Sequence, residues 1–352
     1  MKPSPAYDVG LSYEENYREG PFITEKVPAR QIARKERFLG FEVNSRLGIP
    51  AGPLLNARWI LAYAALGFDL LVYKTVRTRE TPSHPNPNCM FLGIEKQIRE
   101  ADFSKQLVAT RDAPSDPGRI SITNSFGMPS RAPEIWQADI QTAKEGLSAG
   151  QLLIVSVVGS PGEEGLKADY VKGAILAVEA GAPIIEINLS CPNVVTGEGS
   201  LYTDPDHSSA VSRAVKRAIG DVPLIIKIGY IPDPKRLAEV VAANVPYIEA
   251  IAGVNTLSFE IVGPNGVQAL PGKGRLRAGV CGAAIRQCAM DQAARIVDLK
   301  RKAQYDFEVI GVGGVMTPEH IQSYLALGVD GVMSATGAMW DPLLAYRYWT
   351  QV

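Results

Sequence analysis

The stretch Ile184-Ile185-Glu186-Ile187-Asn188-Leu189-Ser190-Cys191-Pro192-Asn193 is an apolar run that ends in a thiol flanked by two carboxamides. Such a run, broken abruptly by polar residues, reads as a buried parallel strand whose carboxyl end opens into a site. Pro192 stops the strand. Asn188 and Asn193 each offer donors and acceptors, which suits a flat, neutral heterocycle with alternating NH and C=O groups. Cys191 between them can accept a proton and release it near neutral pH. In isolation the same residues also describe a strand end with a half-buried cysteine and a proline turn. The rest of the chain has to decide.

Outward from this run, short apolar segments alternate with amphipathic helices, the pattern of βα units and a parallel sheet. The predicted strands are Gly48–Gly52, Leu70–Val76, Leu152–Val158, Pro183–Ser190, Leu224–Gly229, Ile248–Thr256, Phe307–Val315 and Gly331–Thr336. A helix is predicted over Ala57–Leu66 and ends at Gly67, where a left-handed cap is wanted, and another over Glu163–Ala180 ends at Gly181. Asp233-Pro234, Thr317-Pro318 and Asp341-Pro342 each put a capping oxygen ahead of a first-turn proline. Eight such units predict an α/β fold, the (β/α)8 or TIM barrel, with its site at the carboxyl ends of the strands. A ninth run, Arg119–Ser125, follows a Pro-rich, charged stretch over 80–118 with little helical period and reads as part of an insertion over the mouth. A second insertion is expected at about 257–280.

Length fits this reading, since 352 residues exceed a barrel of roughly 250 by enough for an arm and insertions. The expected division is an arm and barrel-floor hairpin over 1–47, the hairpin at Phe38–Arg46, and the barrel over 48–352. The arm is polar, and its basic residues Lys26, Arg30, Arg34, Lys35 and Arg37 lack the aromatic interleaving or apolar helical face of a nucleic-acid or membrane surface. It is expected to be solvated, lying on the outside of the barrel or on a second subunit. A net charge of −1, with 46% hydrophobic and 21% charged residues, describes an ordinary soluble chain with no strong electrostatic partner. No signal-peptide core and no run of ~18 apolar residues is present, so neither secretion nor membrane insertion is expected. Cys89, Cys191, Cys281 and Cys288 show no CxxC spacing, and His84, His207 and His320 are scattered, so no metal site or disulfide framework is signalled. A reducing cytoplasm is the expected compartment.

The predicted strand ends gather Ala51 and Gly52, Lys74, Asn188 to Asn193, Lys227, Asn255 and Thr256, Gly313 and Gly314, and Ala335 and Thr336. Two lysines on apolar strands are expensive to bury without an anionic or strongly polar partner. Beside a thiol and several asparagines they point to a polar cofactor. Gly313-Gly314 and Thr336, after the last two strands, occupy the place where such barrels bind phosphate, though the glycines would equally serve a tight turn.

With Tyr73-Lys74-Thr75, Asn124-Ser125-Phe126-Gly127-Met128-Pro129, Ile187 to Asn193, Ile226-Lys227, Val254-Asn255-Thr256 and Gly311-Val312-Gly313-Gly314 in this order, the chain resembles the dihydroorotate dehydrogenases from about Gly48 to its C-terminus. The resemblance implies an FMN-dependent oxidation of dihydroorotate to orotate in pyrimidine biosynthesis. Cysteine at 191 resembles the base of the soluble class 1 enzymes, where the membrane-associated class 2 has serine. It also implies substrate binding by Lys74, Asn124, Phe126, Gly127, Met128, Asn188, Asn193, Asn255 and Thr256. Flavin binding falls to Ala51, Gly52, Lys74, Asn188, Lys227, Gly282, Gly313, Gly314, Ala335 and Thr336. A loop over Pro192–Asp204 is expected to close over the substrate. Backbone NH groups of Phe126-Gly127-Met128, with Lys74, would hold a carboxylate. Dihydropyrimidine dehydrogenases share the Asn-Leu-Ser-Cys-Pro motif but act on a ring without that carboxylate, and a flavin-binding barrel without turnover is a third reading. A homodimer is expected, with the electron acceptor or an electron-transfer partner left open. Pro50, Pro53, Arg275-Leu276-Arg277 and Ala335 depart from the family pattern.

Overall fold

The computed structural model describes residues 4–32, 34–190 and 201–351. Cys191, Asn193 and most of the expected closing loop lie outside the described residues. In chain order the first elements are helix α1 (Tyr13–Glu19), the hairpin β1 (Glu36–Phe38) and β2 (Phe41–Val43), then β3 (Leu47–Ile49), α2 (Ala57–Ala65) and β4 (Leu70–Val76). Next come β5 (Cys89–Leu92), β6 (Gln106–Thr110), β7 (Ser121–Asn124), α3 (Pro133–Gly146), β8 (Leu152–Val157), α4 (Leu166–Glu179) and β9 (Ile185–Asn188). Then follow α5 (Pro205–Ile219), β10 (Leu224–Ile228), α6 (Pro234–Asn244), β11 (Ala250–Gly253), β12 (Leu257–Val262), β13 (Arg277–Gly282) and α7 (Arg286–Ala303). The chain ends with β14 (Glu308–Val312), α8 (Pro318–Ala326), β15 (Gly331–Met333), α9 (Thr336–Trp340) and α10 (Leu344–Gln351).

Eight parallel strands, in the cyclic order β3-β4-β8-β9-β10-β11-β14-β15, close into the predicted (β/α)8 barrel. Alternation along each strand explains why the runs read as continuously apolar, since both faces are buried. Leu71, Tyr73, Leu153, Val155, Ile185, Ile187 and Ile226 join the cluster that packs against the helices. Leu70, Val72, Leu152, Ile154, Ile184, Ile225, Ala250, Ala252 and Ile310 fill the interior. Phe38 and Val43 of the β1–β2 hairpin belong to that interior cluster and plug the floor at the amino ends of the strands. Following the same parity upward, the inward positions become Lys74, Ser156, Glu186, Asn188 and Lys227. The interior changes from apolar to polar within one or two residues of the carboxyl ends.

The two insertions are not loose covers. β5, β6 and β7 from the first and β12 and β13 from the second form one closed five-stranded barrel. β6 pairs parallel with β12 across Val262↔Val108, and β7 antiparallel with β13 across Asn124↔Gly279. The stretch over 80–118, whose sequence shows little helical period, holds β5 and β6. Its strands are short, and besides pairing with each other they need β7 and, some 150 positions away, β12, so no local period announces them.

The solvated-arm expectation is corrected. Ala6, Tyr7, Tyr13 and Asn16 are buried. A capping box starts α1, with Ser12 Oγ accepting from Glu15 N (3.2 Å) and Glu15 Oε2 accepting from Ser12 N (2.8 Å). Tyr7 and Tyr13 both pack edge-on against Phe126, centroids 6.1 Å away. The basic patch is partly spent inside the molecule: Arg30 pairs with Asp69 (3.0 Å) and lies over the Trp349 ring, and Lys35 pairs with Glu42.

Among the expected caps, Asp233 Oδ1 accepts from Lys235 N (2.9 Å) and Asp341 Oδ1 from Leu343 N (3.2 Å). Thr317 makes no capping hydrogen bond to the α8 backbone. Helix α4 starts at Leu166, after Gly165 at φ 85°, rather than at Glu163. Helices α3, α5 and α7, which the strand reading left unassigned, complete the βα units.

Candidate active site

A cavity of about 1240 Å³, counting the part open to solvent, lies between the carboxyl ends of the strands, the small barrel and the arm. It is lined by Ala51, Gly52, Lys74, Asn124, Phe126, Met128, Asn188, Lys227, Asn255, Thr256, Gly282, Gly313, Gly314, Ala335 and Thr336, all singled out from the sequence. Gly127 is not on the wall. Its φ is +76°, and a side chain there would run into His84, so it turns the chain between two lining residues.

The floor is cationic. Lys74 is 8% exposed and Lys227 4%. Lys74 Nζ lies 3.4 Å from the Thr75 carbonyl. Burial pushes the Lys227 ammonium below the usual lysine range, and the neighbouring Glu186 opposes that shift. Among the described lining residues there is no aspartate or glutamate.

Above the floor, the asparagines are tied to the start of the undescribed segment. Asn255 Nδ2 donates to Ser190 O (2.6 Å) and to Asn188 Oδ1 (3.3 Å), while Asn255 Oδ1 accepts from Thr256 N (2.9 Å). Asn188 Oδ1 also accepts from Ser190 N (3.1 Å). The donors of Asn255 are therefore engaged by the protein, which aims the backbone at Ser190 into residue 191. Among the described residues Asn188 Nδ2 faces only the Met128 sulfur, at 3.7 Å, and is the amide best placed to meet a ligand.

The small barrel supplies the far wall through β7 and β13. Asn124 Nδ2 and Thr336 Oγ1 both point at Cys281 Sγ, at 3.5 and 3.4 Å. Burial pushes the Cys281 thiol up to about 11, so it is neutral at pH 7 and cannot act as a base there. Gly279 admits Thr256, whose Oγ1 would lie 2.4 Å from a Cβ at that position. Arg275, a departure from the family pattern and 3% exposed, fastens the two insertions together. It donates to Ser125 O (2.7 Å), Asn88 Oδ1 (3.1 Å), Pro87 O (3.2 Å) and Pro85 O (2.8 Å), and so fixes the turn at Phe126-Gly127-Met128.

Gly313 and Gly314, at φ 124° and 66°, answer to packing. A Cβ at Gly314 would fall 2.4 Å from Arg286 Cβ, and one at Gly313 2.6 Å from Ala289 Cβ. Gly52 is different: φ is 139° and nothing lies within 4 Å of the position a Cβ would take. It presents bare backbone to the cavity. Tyr7, Tyr13, Thr75 and Cys281 also line the wall and were missed as site residues from the sequence, while Ser190 lies in the expected Asn188 to Asn193 cluster. The Ser12–Glu15 capping box was the available signal for Tyr13, and Cys281 immediately precedes Gly282. Cys191 and Asn193 lie outside the described residues.

Fold and site together define a barrel enzyme with a cationic, amide-rich mouth. The dihydroorotate dehydrogenase family profile matches residues 112–344. The chain is 39% identical over 360 aligned positions to a dihydroorotate dehydrogenase of Dictyostelium discoideum, covering 98% of this chain and 96% of that one. The chain belongs to the dihydroorotate dehydrogenase family, a family of oxidoreductases. It is also 30% identical over 174 residues (49% of this chain, 54% of the other) to the catalytic subunit of dihydroorotate dehydrogenase B (NAD(+)) of Maridesulfovibrio salexigens. The crystal structure of DHODH from Eimeria tenella in complex with ferulenol shares the fold, with a TM-score of 0.68 at 16% identity over 89% of this chain and 81% of that one.

Proposed function

We propose that the chain oxidises dihydroorotate to orotate, with a bound flavin mononucleotide as hydride acceptor and Cys191 as the base. The observation that carries this is the meeting, in one cavity without an acid among its described lining residues, of two inward lysines with an asparagine network that ends where Ser190-Cys191-Pro192-Asn193 begins.

The lining, with the glycines Gly52, Gly313 and Gly314 beside two lysines and several amides, suits a flat polar cofactor next to a small ring. Gly52 offers open backbone at a left-handed position, and Lys227 offers a buried cation at the cavity wall. Ala51, Gly52, Lys227, Gly282, Gly313, Gly314, Ala335 and Thr336 would hold the flavin. When bound it supplies a two-electron acceptor for hydride.

The chain's own groups do the rest. Lys74 and the turn Phe126-Gly127-Met128 neutralise and orient the substrate carboxylate. Asn124, Asn188 and Asn193 meet the ring's amide edges, and Asn255 and Thr256 shape the wall behind them. Cys191 takes the proton from the ring carbon next to the one that loses hydride. Tyr7 and Tyr13, kept as neutral phenols by burial, close the arm side against water. The same reading makes the protein a cytoplasmic homodimer of the class 1 kind in pyrimidine biosynthesis, passing electrons on to a small acceptor or a partner protein.

Anaerobic mixing of the purified flavoprotein with dihydroorotate or dihydrouracil tests the proposal. Dihydroorotate bleaches the flavin and dihydrouracil does not. Cys191→Ala slows bleaching by about 100- to 10,000-fold, the usual contribution of a general base, while orotate still binds. Equal bleaching by both substrates, or an unchanged rate in the variant, refutes the assignment.

A further inference from the structure

Glu186 lies one step beneath the mouth floor and is not used by the reading above. On β9 the inward positions are Ile184, Glu186 and Asn188. Parallel pairing sets Ile225 opposite Glu186 and Lys227 opposite Asn188 on β10, and Ser156 opposite Glu186 on β8. The carboxylate is 1% exposed, and neither oxygen has a hydrogen-bond partner among the described residues. The Ser156 hydroxyl is engaged with Thr75 Oγ1 at 3.0 Å. An ionised carboxylate left so deep without compensation costs several kcal/mol. Among the described residues, the charged groups of the floor above it are Lys227 on β10 and Lys74 on β4. The Glu186 carboxylate opposes the drop in basicity that burial imposes on Lys227.

We propose that Glu186 is the buried counter-ion of Lys227, a positioning residue that keeps the lysine ammonium charged at the mouth floor and thereby sets the positive charge that a bound flavin meets. The second half rests on the flavin reading of the site; the ion pair itself does not. The lysine alone would shed its proton to escape burial. The carboxylate alone would be stranded. Set one layer apart, the pair keeps one end in the dry core and the other at the wall of the cavity.

Two experiments decide it. The first uses sulfite, whose addition to a flavin places negative charge on the pyrimidine ring. In the Glu186→Gln holoenzyme at pH 8.5, the counter-ion role predicts that the sulfite dissociation constant rises at least tenfold, as in Lys227→Met, and that the double variant rises no further. If Glu186 acted only as a nearby negative charge, its removal would tighten sulfite binding, and an unchanged constant would show no coupling. Either result overturns the proposal. The second is a thermal-midpoint cycle that needs no turnover. Lys227→Met leaves the carboxylate stranded and lowers the midpoint, and adding Glu186→Gln to it raises the midpoint again. A double variant no more stable than Lys227→Met refutes the ion pair. A purified protein without a flavin spectrum would instead refute the cofactor reading and leave the midpoint cycle to judge the pair.

Discussion

Replacing Arg275 by methionine isolates what a buried guanidinium does at the junction of the two insertions, because methionine keeps much of the stem's volume and removes the donors. Acceptors at Pro85, Pro87 and Pro271 lie toward the partly exposed side of the guanidinium, where water can replace the lost donors. Ser125 O and Asn88 Oδ1 are buried, whereas Ser125 Oγ can turn to His84 Nδ1, already 3.4 Å away. Two acceptors are thus stranded. At about 1–3 kcal/mol each, the expected loss is about 3–4 kcal/mol. It is concentrated in the small barrel, since Arg275 holds the segments at 85–88 and 125 to its own loop. Urea unfolding followed by tryptophan fluorescence should show an earlier, separate transition. Orotate affinity should fall with it, because the turn at Phe126-Gly127-Met128 loses its support. A loss under about 1 kcal/mol with unchanged orotate binding would refute the fastening role.

Burial and the Arg286 guanidinium depress the His320 imidazole from 6.5 to about 4. The unfolded chain therefore binds a proton that the folded chain refuses as pH falls through that window. Wild type should lose stability relative to His320→Gln between pH 6.5 and 4, and a flat difference in urea midpoint would contradict this. Gly282→Ala forces a side chain onto φ 94° and sets its Cβ 2.3 Å from Ile120 O, so a loss of about 2–4 kcal/mol is expected from strain and overpacking together; a midpoint within 1 kcal/mol of wild type would count against the tight contact. Ser12→Ala should cost about 1 kcal/mol of local stability, read as faster amide exchange across Tyr13–Glu19 with little change in global unfolding. Unaltered exchange there would mean the capping box does not hold the arm.

The barrel was legible because its strands advertise themselves locally. Leu70–Val76 and Leu224–Ile228 are buried on both faces, so they read as unbroken apolar runs, and Gly67 and Gly181 close α2 and α4 with the left-handed turns their positions imply. The small barrel was not legible. β6 reads Gln-Leu-Val-Ala-Thr, with Val108 half exposed, and it gains strand character from the short β5 on one side and from β12, more than 150 residues later, on the other. For the same reason the value of Arg275 was hidden, since a guanidinium between Gly274 and Leu276 signals nothing until four carbonyl and amide oxygens from distant segments converge on it. The arm was misread for another reason: its composition is polar, yet two tyrosines and one asparagine carry its burial, too few to register against the surrounding charge.

The site is assembled by a division of labour that composition conceals. The protein as a whole is nearly neutral, but the floor of its mouth holds two cations and no acid among the described residues. That asymmetry persists only if something offsets the cost of desolvating the lysines. Glu186 sits one layer beneath Lys227 and opposes the loss of its proton, and under the reading proposed above a negatively charged ring and cofactor would add to that compensation. Binding of such anions then stabilises the fold by about 2.7 kcal/mol at a hundredfold excess over the dissociation constant. An amide network that spends its donors on its own backbone, as Asn255 does, is the complement of this arrangement: the cations supply the attraction, and the amides hold the chain as far as Ser190, next in sequence to the residue proposed to take the proton.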